Sequence, residues 1–312
     1  MSRPVPPVAE GPLSPARAAL IAGLAEAASR ADGVAPLSEH ALLHARHPDG
    51  GALDLVIEAD GGILGYAHLD LAPDPEAADP ETGDLSGELV VHPGKRRQGH
   101  GRALLAALAR DRGGHGIRLW AHGDLPAAAA FAAAGGLRRA RSLWQMRRAL
   151  GGAGAELPEP RFPPGVTVRT FVPGQDEDAW LAVNARAFAH HPEQGAWTKA
   201  DLEMREAEPW FDPEGFFLAE RDGELAGFHW TKVHPQGPDG SPEGEVYVVG
   251  VDPGGQGGGL GRALTLVGIR YLQARGLAHV MLYVDEDNTP ATRMYTALGF
   301  SRRNTDVMYR LG

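Results

Sequence analysis

The chain writes one glycine-rich loop twice. The first copy reads Val91-His92-Pro93-Gly94-Lys95-Arg96-Arg97-Gln98-Gly99-His100-Gly101-Arg102-Ala103-Leu104. The second reads Val251-Asp252-Pro253-Gly254-Gly255-Gln256-Gly257-Gly258-Gly259-Leu260-Gly261-Arg262-Ala263-Leu264. Each follows an apolar, strand-like run and opens a helix-like run. That layout aims consecutive backbone N–H groups, and the positive end of a helix dipole, at an anion. Two copies imply two domains of one kind. A length of 312 residues suits two domains of about 150.

The elements around the loops repeat in the same order. In the first half, Leu13–Ala28 and Leu37–Arg46 read as helices, and Ala52–Ala59 and Ile63–Leu71 as strands about an Asp60-Gly61-Gly62 turn. Leu85–Val91 is a strand, Arg102–Arg110 a helix, Ile117–Ala121 a strand, Pro126–Ala134 a helix and Trp144–Arg148 a closing strand. Gly151–Pro164, rich in Gly, Pro and acids, reads as a linker. In the second half Val166–Phe171 is a strand and Asp176–Ala189 a helix. Phe216–Glu220 and Glu224–Val233 flank an Asp222-Gly223 turn. Glu245–Val251, His279–Val284 and Val307–Arg310 are strands; Leu260–Arg275 and Asn288–Leu298 are helices. The expected fold is α+β: two tandem units, 1–150 and 165–312, each a mixed, mostly antiparallel sheet flanked by helices.

Bulk properties narrow the partners. A formal net charge of −10 argues against general binding of nucleic acid or anionic membranes. The absence of cysteine removes disulfides and protein thiol chemistry, and it agrees with a cytoplasmic protein. No apolar run approaches the roughly 18 residues of a membrane span. Residues 1–12 are proline-rich, lack the apolar core of a signal peptide and read as a loose arm. A monomer is expected. Of the 13 histidines, His40, His44 and His47 fall near helical spacing and His190-His191 are adjacent. No His-Glu-x-x-His pattern accompanies them, so they read as solvated side chains and no metal is expected.

The second loop has a working core of Gln256-x-x-Gly259-x-Gly261. Glycine permits positive φ and lets backbone approach a ligand without a Cβ in the way. The pattern is no dinucleotide fingerprint, because no acidic residue follows at the expected distance. It is no Walker loop, because no Gly-Lys-Ser/Thr follows. Downstream, Asn288-Thr289-Pro290-Ala291-Thr292-Arg293-Met294-Tyr295 leads to Leu298-Gly299-Phe300. Gln-x-x-Gly-x-Gly followed by Asn-x-x-Ala-x-x-x-Tyr and Leu-Gly-Phe resembles the GCN5-related N-acetyltransferase (GNAT) family. The resemblance implies acetyl-CoA as donor, its pyrophosphate on the loop and its pantetheine between splayed strands. It assigns the cofactor to Val249, Gly250, Val251, Gln256, Gly257, Gly258, Gly259, Leu260, Gly261 and Arg262, and to Asn288, Thr289, Pro290, Ala291, Thr292 and Arg293. Relatives carry larger, often basic residues where Gly257 and Gly258 stand, which leaves Arg262 and Arg293 to supply most of the positive charge.

The chemistry asks for specific parts. An amine must be neutral to attack a thioester, so a general base helps at pH 7. Glu245, at the start of the strand running into the loop, is the candidate base. Charge developing on the carbonyl oxygen needs a donor, such as a backbone N–H of that strand. The departing thiol has a pKa near 8.5, against about 10 for tyrosine. Tyr295, the family's usual acid, therefore needs close placement and gains from any lowering of its pKa.

Laying one copy on the other makes them unequal. Tyr295 falls on Phe131, Asn288 on Asp124 and Glu245 on Leu85. The first domain thus reads as catalytically silent. It keeps a cradle at Leu89, Val90, Val91, Arg97, Gln98, Gly99, His100, Gly101 and Arg102, and adds the cations Lys95 and Arg96.

A tandem branch of the family is similar over nearly the whole chain. The resemblance lies in Asp32-Gly33-Val34-Ala35-Pro36-Leu37-Ser38-Glu39, in Val183-Asn184-Ala185-Arg186-Ala187-Phe188, in His191-Pro192-Glu193-Gln194-Gly195, and in Phe228-His229-Trp230-Thr231-Lys232. That branch acetylates the cysteinyl amine of a cysteinyl-glucosaminyl-inositol, a small-molecule acceptor. The resemblance implies acceptor contacts from Glu39, Glu193, Lys232, Glu245 and Tyr283. Two other readings stay open: a tandem acetyltransferase for another small amine, such as an aminoglycoside or polyamine, and a non-catalytic acyl-CoA-binding regulator.

Overall fold

The computed structural model describes residues 8–11, 13–48, 50–59, 61–71, 83–110, 115–152, 155–189, 192–237, 240–255 and 258–311, and of residues 192 and 193 the backbone alone. They form two compact units, Met1–Leu143 with Asn304–Gly312, and Trp144–Arg303.

The first unit is built on β1 (Val8–Glu10), β2 (Ala52–Ala59), β3 (Gly62–Asp70), β4 (Leu85–Val91), β5 (Ile117–Ala121) and β12 (Ser301–Leu311, from Asn304 onward), in that spatial order. β4 and β5 run parallel and the other neighbours antiparallel. Its helices are α1 (Pro15–Asp32), α2 (Glu39–Arg46), α3 (His100–Leu108) and α4 (Pro126–Ala134). The period of two along β2 feeds two cores. Leu53, Leu55 and Ile57 pack with Leu104 and Leu108 of α3, while Val56 packs with Ile21 and Leu24 of α1. Each such side chain contributes about 1.5–3 kcal/mol by leaving water. His40 and His44 are not the solvated side chains expected. His44 is buried, and His40 Nε2 lies 2.9 Å from Asp70 Oδ1 on β3.

The second unit is built on β6 (Leu137–Ala149, from Trp144 onward), β11 (His279–Asp285), β10 (Glu243–Val251), β9 (Glu224–His234), β8 (Phe216–Arg221) and β7 (Val166–Thr170), again in spatial order. Its helices are α5 (Glu177–Ala187), α6 (Pro192–Gly195), α7 (Lys199–Glu206), α8 (Leu260–Ala274) and α9 (Thr289–Ala297). One face carries Leu266, Ile269 and Leu272 of α8 against Val246, Val280 and Leu282. The other is aromatic: Trp180 of α5 sits among Phe216, Phe228 and Trp230, and the Phe216 and Trp230 rings stack 4.6 Å apart. Asp222 and Gly223 both have positive φ, 55° and 83°, as a tight hairpin between right-twisted strands demands.

The unit boundaries depart from 1–150 and 165–312 through an exchange of end strands. Val307–Arg310 pairs with β5 and closes the first unit's sheet, with Val307 and Tyr309 in its core. Trp144–Arg148 lies in β6, beside β11, with Met146 in the second unit's core. Both segments alternate, so their patterns fit either sheet. The expected linker is also tied down where it is described. Arg270 of α8 donates to Leu157 O at 3.1 Å and Pro158 O at 3.3 Å, and Gln273 donates to Leu150 O at 2.9 Å and Ala155 O at 3.1 Å.

His229 on β9 makes the second unit acid-sensitive. It is fully buried, and its Nδ1 lies 2.8 Å from Leu264 O of α8. Gly268 leaves it room, since a Cβ there would sit 2.2 Å from the ring. Burial pushes the imidazole down to about 4. An unfolded histidine titrates near 6.5, so the unfolded chain takes the proton first and stability falls as pH drops through about 6.5 toward 4. From pH 7 to pH 5 the loss attributable to His229 is about 2 kcal/mol. In urea denaturation, wild type is expected to lose that much more than His229→Gln over the same interval. Equal losses would show that His229 does not set the acid limb.

Candidate active site

The second unit's sheet opens along one seam. β10 and β11 pair in parallel from Gly244↔Val280 to Val246↔Leu282, yet β10 continues to Val251 and β11 to Asp285. On its other edge β10 stays paired with β9 as far as Val251↔Gly227. The register of that antiparallel pair shifts between Val246 and Val248, so Tyr247 is an extra residue. A bulge bends its strand and increases local twist, and here it sits where β10 leaves β11. Past Val246, main-chain groups of β10 therefore face a gap in place of a ladder.

The glycine loop follows directly. Gly254 N donates to Asp252 Oδ1 at 2.9 Å, and Arg186 holds the other carboxylate oxygen at 2.5 Å. Gly259, at φ 83°, caps α8 with no side-chain hydrogen bond, so among the described residues no capping side chain takes the first-turn N–H groups. Gly258, at φ 64°, lies against Pro163, whose Cγ would be 3.2 Å from an added Cβ. Gly261 needs no positive φ, and its nearest neighbour to an added Cβ is Val251 Cγ2 at an ordinary 3.5 Å. Its missing side chain leaves room for a ligand at the helix's first turn. This fits a pyrophosphate. Gly250 has a packing reason instead, because a Cβ there would strike the Phe228 ring at 2.8 Å. Leu260 is a core residue, while Val249 and Val251 are half-buried. Among the described residues neither Arg262 nor Arg293 makes an ion pair, so both charges stay available to phosphate. Gln256 and Gly257 lie outside the described residues.

Glu245 sits on the edge of the seam. It is buried, and its Oε2 lies 2.6 Å from His234 Nε2 at the end of β9. Its cross-strand partner is Lys232, also buried, whose ammonium lies 4.2 Å from the Trp210 ring centre and 5.1 Å from that of Tyr247. Arg205 of α7 reaches the same cluster, its Nε donating to the Tyr247 hydroxyl at 3.0 Å and its guanidinium lying 3.8 Å from the Trp197 ring centre. The cluster thus holds cations over aromatic faces, an arrangement worth most when desolvated. Sequence reading missed His234, Trp210, Tyr247 and Arg205. The signal for His234 was present: it lies two residues past Lys232, on the same face of the strand.

Tyr295 approaches from the opposite face. Val246 belongs to the α8 core with Tyr295, and Glu245 beside it in the strand points the other way. The Tyr295 ring is buried edge-on to Phe300 at 5.8 Å, and its hydroxyl makes no hydrogen bond among the described residues. Burial pushes the phenol well above its ordinary value, the opposite of the lowering that would ease proton donation. Asn288 Oδ1 accepts from Ala291 N at 3.2 Å and caps α9, whose first turn holds Thr289, Pro290, Ala291 and Thr292.

The remaining expected contacts lie on other elements. Tyr283 is exposed on β11 and accepts from Gln145 Nε2 at 3.2 Å. Glu193 lies in α6, which Asn184 holds through reciprocal bonds with Gln194 of 2.7 and 3.1 Å; its side chain, and His190 and His191, are outside the described residues. Glu39 opens α2 of the first unit.

The first unit keeps the seam with different side chains around it. β4 and β5 pair from Leu85↔Ile117 to Glu88↔Trp120, then separate. The ladders place Glu245 opposite Ser86 and not Leu85. Glu245 faces Met281 one step past Gly244↔Val280, as Ser86 faces Arg118 one step past Leu85↔Ile117. The extra residue Tyr247 accounts for the one-residue offset. Gly99 caps α3 at φ 92°, again without a side-chain bond, and Arg97, Gln98 and Arg102 are exposed. Leu89 and Val91 are half-buried on β4 and Val90 is in the core. Arg96 is committed elsewhere, its guanidinium gripping Asp32 at 2.7 and 2.6 Å. The Phe131 ring lies against the helix turn at Gly101, 3.1 Å from where a Cβ would stand. His100 is buried and, among the described residues, neither ring nitrogen is hydrogen-bonded; it stands at the position Leu260 fills in the second unit. Asp124, unlike Asn288, caps nothing and pairs with Arg139 at 3.2 Å.

Residues 183–300 match the acetyltransferase (GNAT) family and residues 53–135 an acetyltransferase (GNAT) domain. A mycothiol acetyltransferase of Thermomonospora curvata is 62% identical over 290 residues, covering 93% of this chain and 92% of that protein. A GCN5-related N-acetyltransferase structure from Sphaerobacter thermophilus is 28% identical, with TM-score 0.66, covering 97% and 95% of the two chains. A tandem GNAT protein from the clavulanic acid biosynthesis pathway shares the fold at TM-score 0.71 and 22% identity, covering 97% and 98%.

Proposed function

The chain belongs to the mycothiol acetyltransferases of the GNAT family, and from that premise we propose that its second unit acetylates the cysteinyl amine of cysteinyl-glucosaminyl-inositol at the seam between β10 and β11. Transfer of an acetyl group from acetyl-CoA in mycothiol biosynthesis is the activity of this family. Bound acetyl-CoA supplies a thioester carbonyl, already activated toward amines. The single observation that carries the site assignment is the opening past Val246, with Glu245–His234 on one face and Tyr295 on the other.

Each residue's task follows from its place. Glu245 takes a proton from the cysteinyl ammonium or the attacking amine, and His234 orients the carboxylate that receives it. Main-chain N–H groups of β10 facing the gap stabilise negative charge as it develops on the acyl oxygen. Tyr295 donates a hydrogen bond to the departing sulfur, which leaves as a thiolate and takes its proton from water. A buried phenol is a poor tyrosinate, so its contribution is a hydrogen bond that strengthens as sulfur gains charge. The caps of α8 and α9, with Arg262 and Arg293, bind and orient the nucleotide end. Lys232 and its aromatic neighbours border the acceptor side. The first unit, with Phe131 and Ser86 at the corresponding places, is catalytically silent.

The test offers the full chain acetyl-CoA with the cysteinyl pseudodisaccharide, a polyamine and an aminoglycoside in parallel, reading thiol release and product mass. Acetylation of the cysteinyl sugar at a kcat/KM far above the other amines is expected. Turnover of polyamine alone, or cofactor binding with no turnover, would overturn the acceptor assignment.

A further inference from the structure

Four residues that the acetyl-transfer chemistry does not use converge in the first unit. His40 and His44 stand one turn apart on α2, and His68 and Asp70 lie on the same face of β3. The His40 ring centre is 4.3 Å from that of His44 and 5.9 Å from that of His68. His40 Nε2 and His68 Nε2 both approach Asp70 Oδ1, at 2.9 and 3.2 Å, and the three ligand atoms lie within 4.8 Å of one another. At zinc bond lengths of about 2.0–2.2 Å, the edges of a tetrahedral site are about 3.3–3.6 Å. The two observed separations are within a few tenths of an ångström of that.

The surroundings match a metal ligand's supporting shell. His68 Nδ1 lies 3.2 Å from Asp54 Oδ1, and the Tyr66 hydroxyl donates to that same oxygen at 2.6 Å. A carboxylate on Nδ1 fixes the tautomer that turns Nε2 outward as a donor of electrons, the relation common behind zinc-bound histidines. Asp54 and His68 are buried. With neutral imidazoles, Asp54 and Asp70 leave two negative charges in partial burial, which a dication cancels. The competing arrangement has His68 protonated between Asp54 and Asp70 and His40 donating to the same Asp70 oxygen; it binds no ion, and titration with Zn²⁺ separates the two.

We propose that His40, His68 and Asp70 form a binding site for a zinc-type divalent cation in the first unit, with Asp54 and Tyr66 orienting His68 and with His44 or water beside the fourth position. Imidazole and carboxylate together suit zinc better than the oxygen-seeking magnesium or calcium. A bound ion clamps α2 to β3, and with it the first helical turn that carries Glu39.

The test uses the full chain, stripped with chelator and titrated with Zn²⁺ against a chromogenic competitor. One Zn²⁺ per chain is expected, with a Tm that rises on adding Zn²⁺ and falls back with EDTA. His40→Ala and Asp70→Asn, both at partly exposed positions, should each weaken binding at least 100-fold and abolish the Tm rise. Asp54→Asn should weaken it about 10–100-fold, as loss of an orienting partner does. His47→Ala, an exposed histidine beyond the same helix, should leave it unchanged. Absence of stoichiometric binding would overturn the proposal. So would binding that survives both His40→Ala and Asp70→Asn, since the ion would then sit elsewhere.

Discussion

Replacing Glu245 by Gln is expected to lower kcat/KM for the amine acceptor by about 10²–10⁴-fold, the range for removal of a positioned general base. Glutamine keeps the volume and can still hydrogen-bond His234, 2.6 Å away in the native protein, so the fold and the seam should survive. Without the base, reaction depends on the fraction of acceptor already deprotonated. The variant's rate should therefore climb more steeply with pH than wild type, and the gap between them should narrow in alkaline solution. Acetyl-CoA binding, read by calorimetry, should not change. A pH–rate profile parallel to that of wild type would mean Glu245 only binds the acceptor, and the base must be sought elsewhere.

The second large effect is expected at Tyr295. Tyr295→Phe should cut kcat by about 10²-fold with little change in the KM for acetyl-CoA, because the lost hydrogen bond is made chiefly as sulfur departs. Thiolate is a tolerable leaving group, with a conjugate acid near 8.5, which keeps this loss at the lower end of the range for acid catalysis. Stability should separate catalysis from packing. The ring stays against Phe300, and the hydroxyl has no partner among the described residues, so the Tm should hold or rise. Burial raises the native phenol's pKa, so Tyr295 should also add no inflection to the wild-type profile across neutral pH. A kcat within twofold of wild type would remove Tyr295 from the mechanism.

What could be read from sequence was local. The two loops, the Asp222-Gly223 hairpin and the Asn288 cap each rest on residues whose φ preference or side-chain reach is decided within a few positions. What could not be read was pairing across strands. Val307–Arg310 and Trp144–Arg148 are both short alternating runs, and alternation records which face is buried but not which neighbour lies alongside. The single extra residue at Tyr247 shifted the match for Glu245 from Leu85 to Ser86. The partnership of His234 with Glu245, and that of His40 with Asp70, likewise needs tertiary neighbours. Spacing alone left those histidines indistinguishable from solvated ones.

The exchange of end strands has a consequence for how the chain is made. Synthesis proceeds from the N-terminus, yet the first unit is finished by residues 304–311. Until they emerge, β5 presents an open edge, and the pocket in the core that Val307 and Tyr309 fill stays unfilled. The first unit cannot complete its folding as a nascent domain while the second is still being translated. Closure of one depends on nearly the whole length of the other, a very long-range contact of the kind that slows folding. A chain ended after residue 303 and released from the ribosome should keep a protease-resistant second unit while the first is cut.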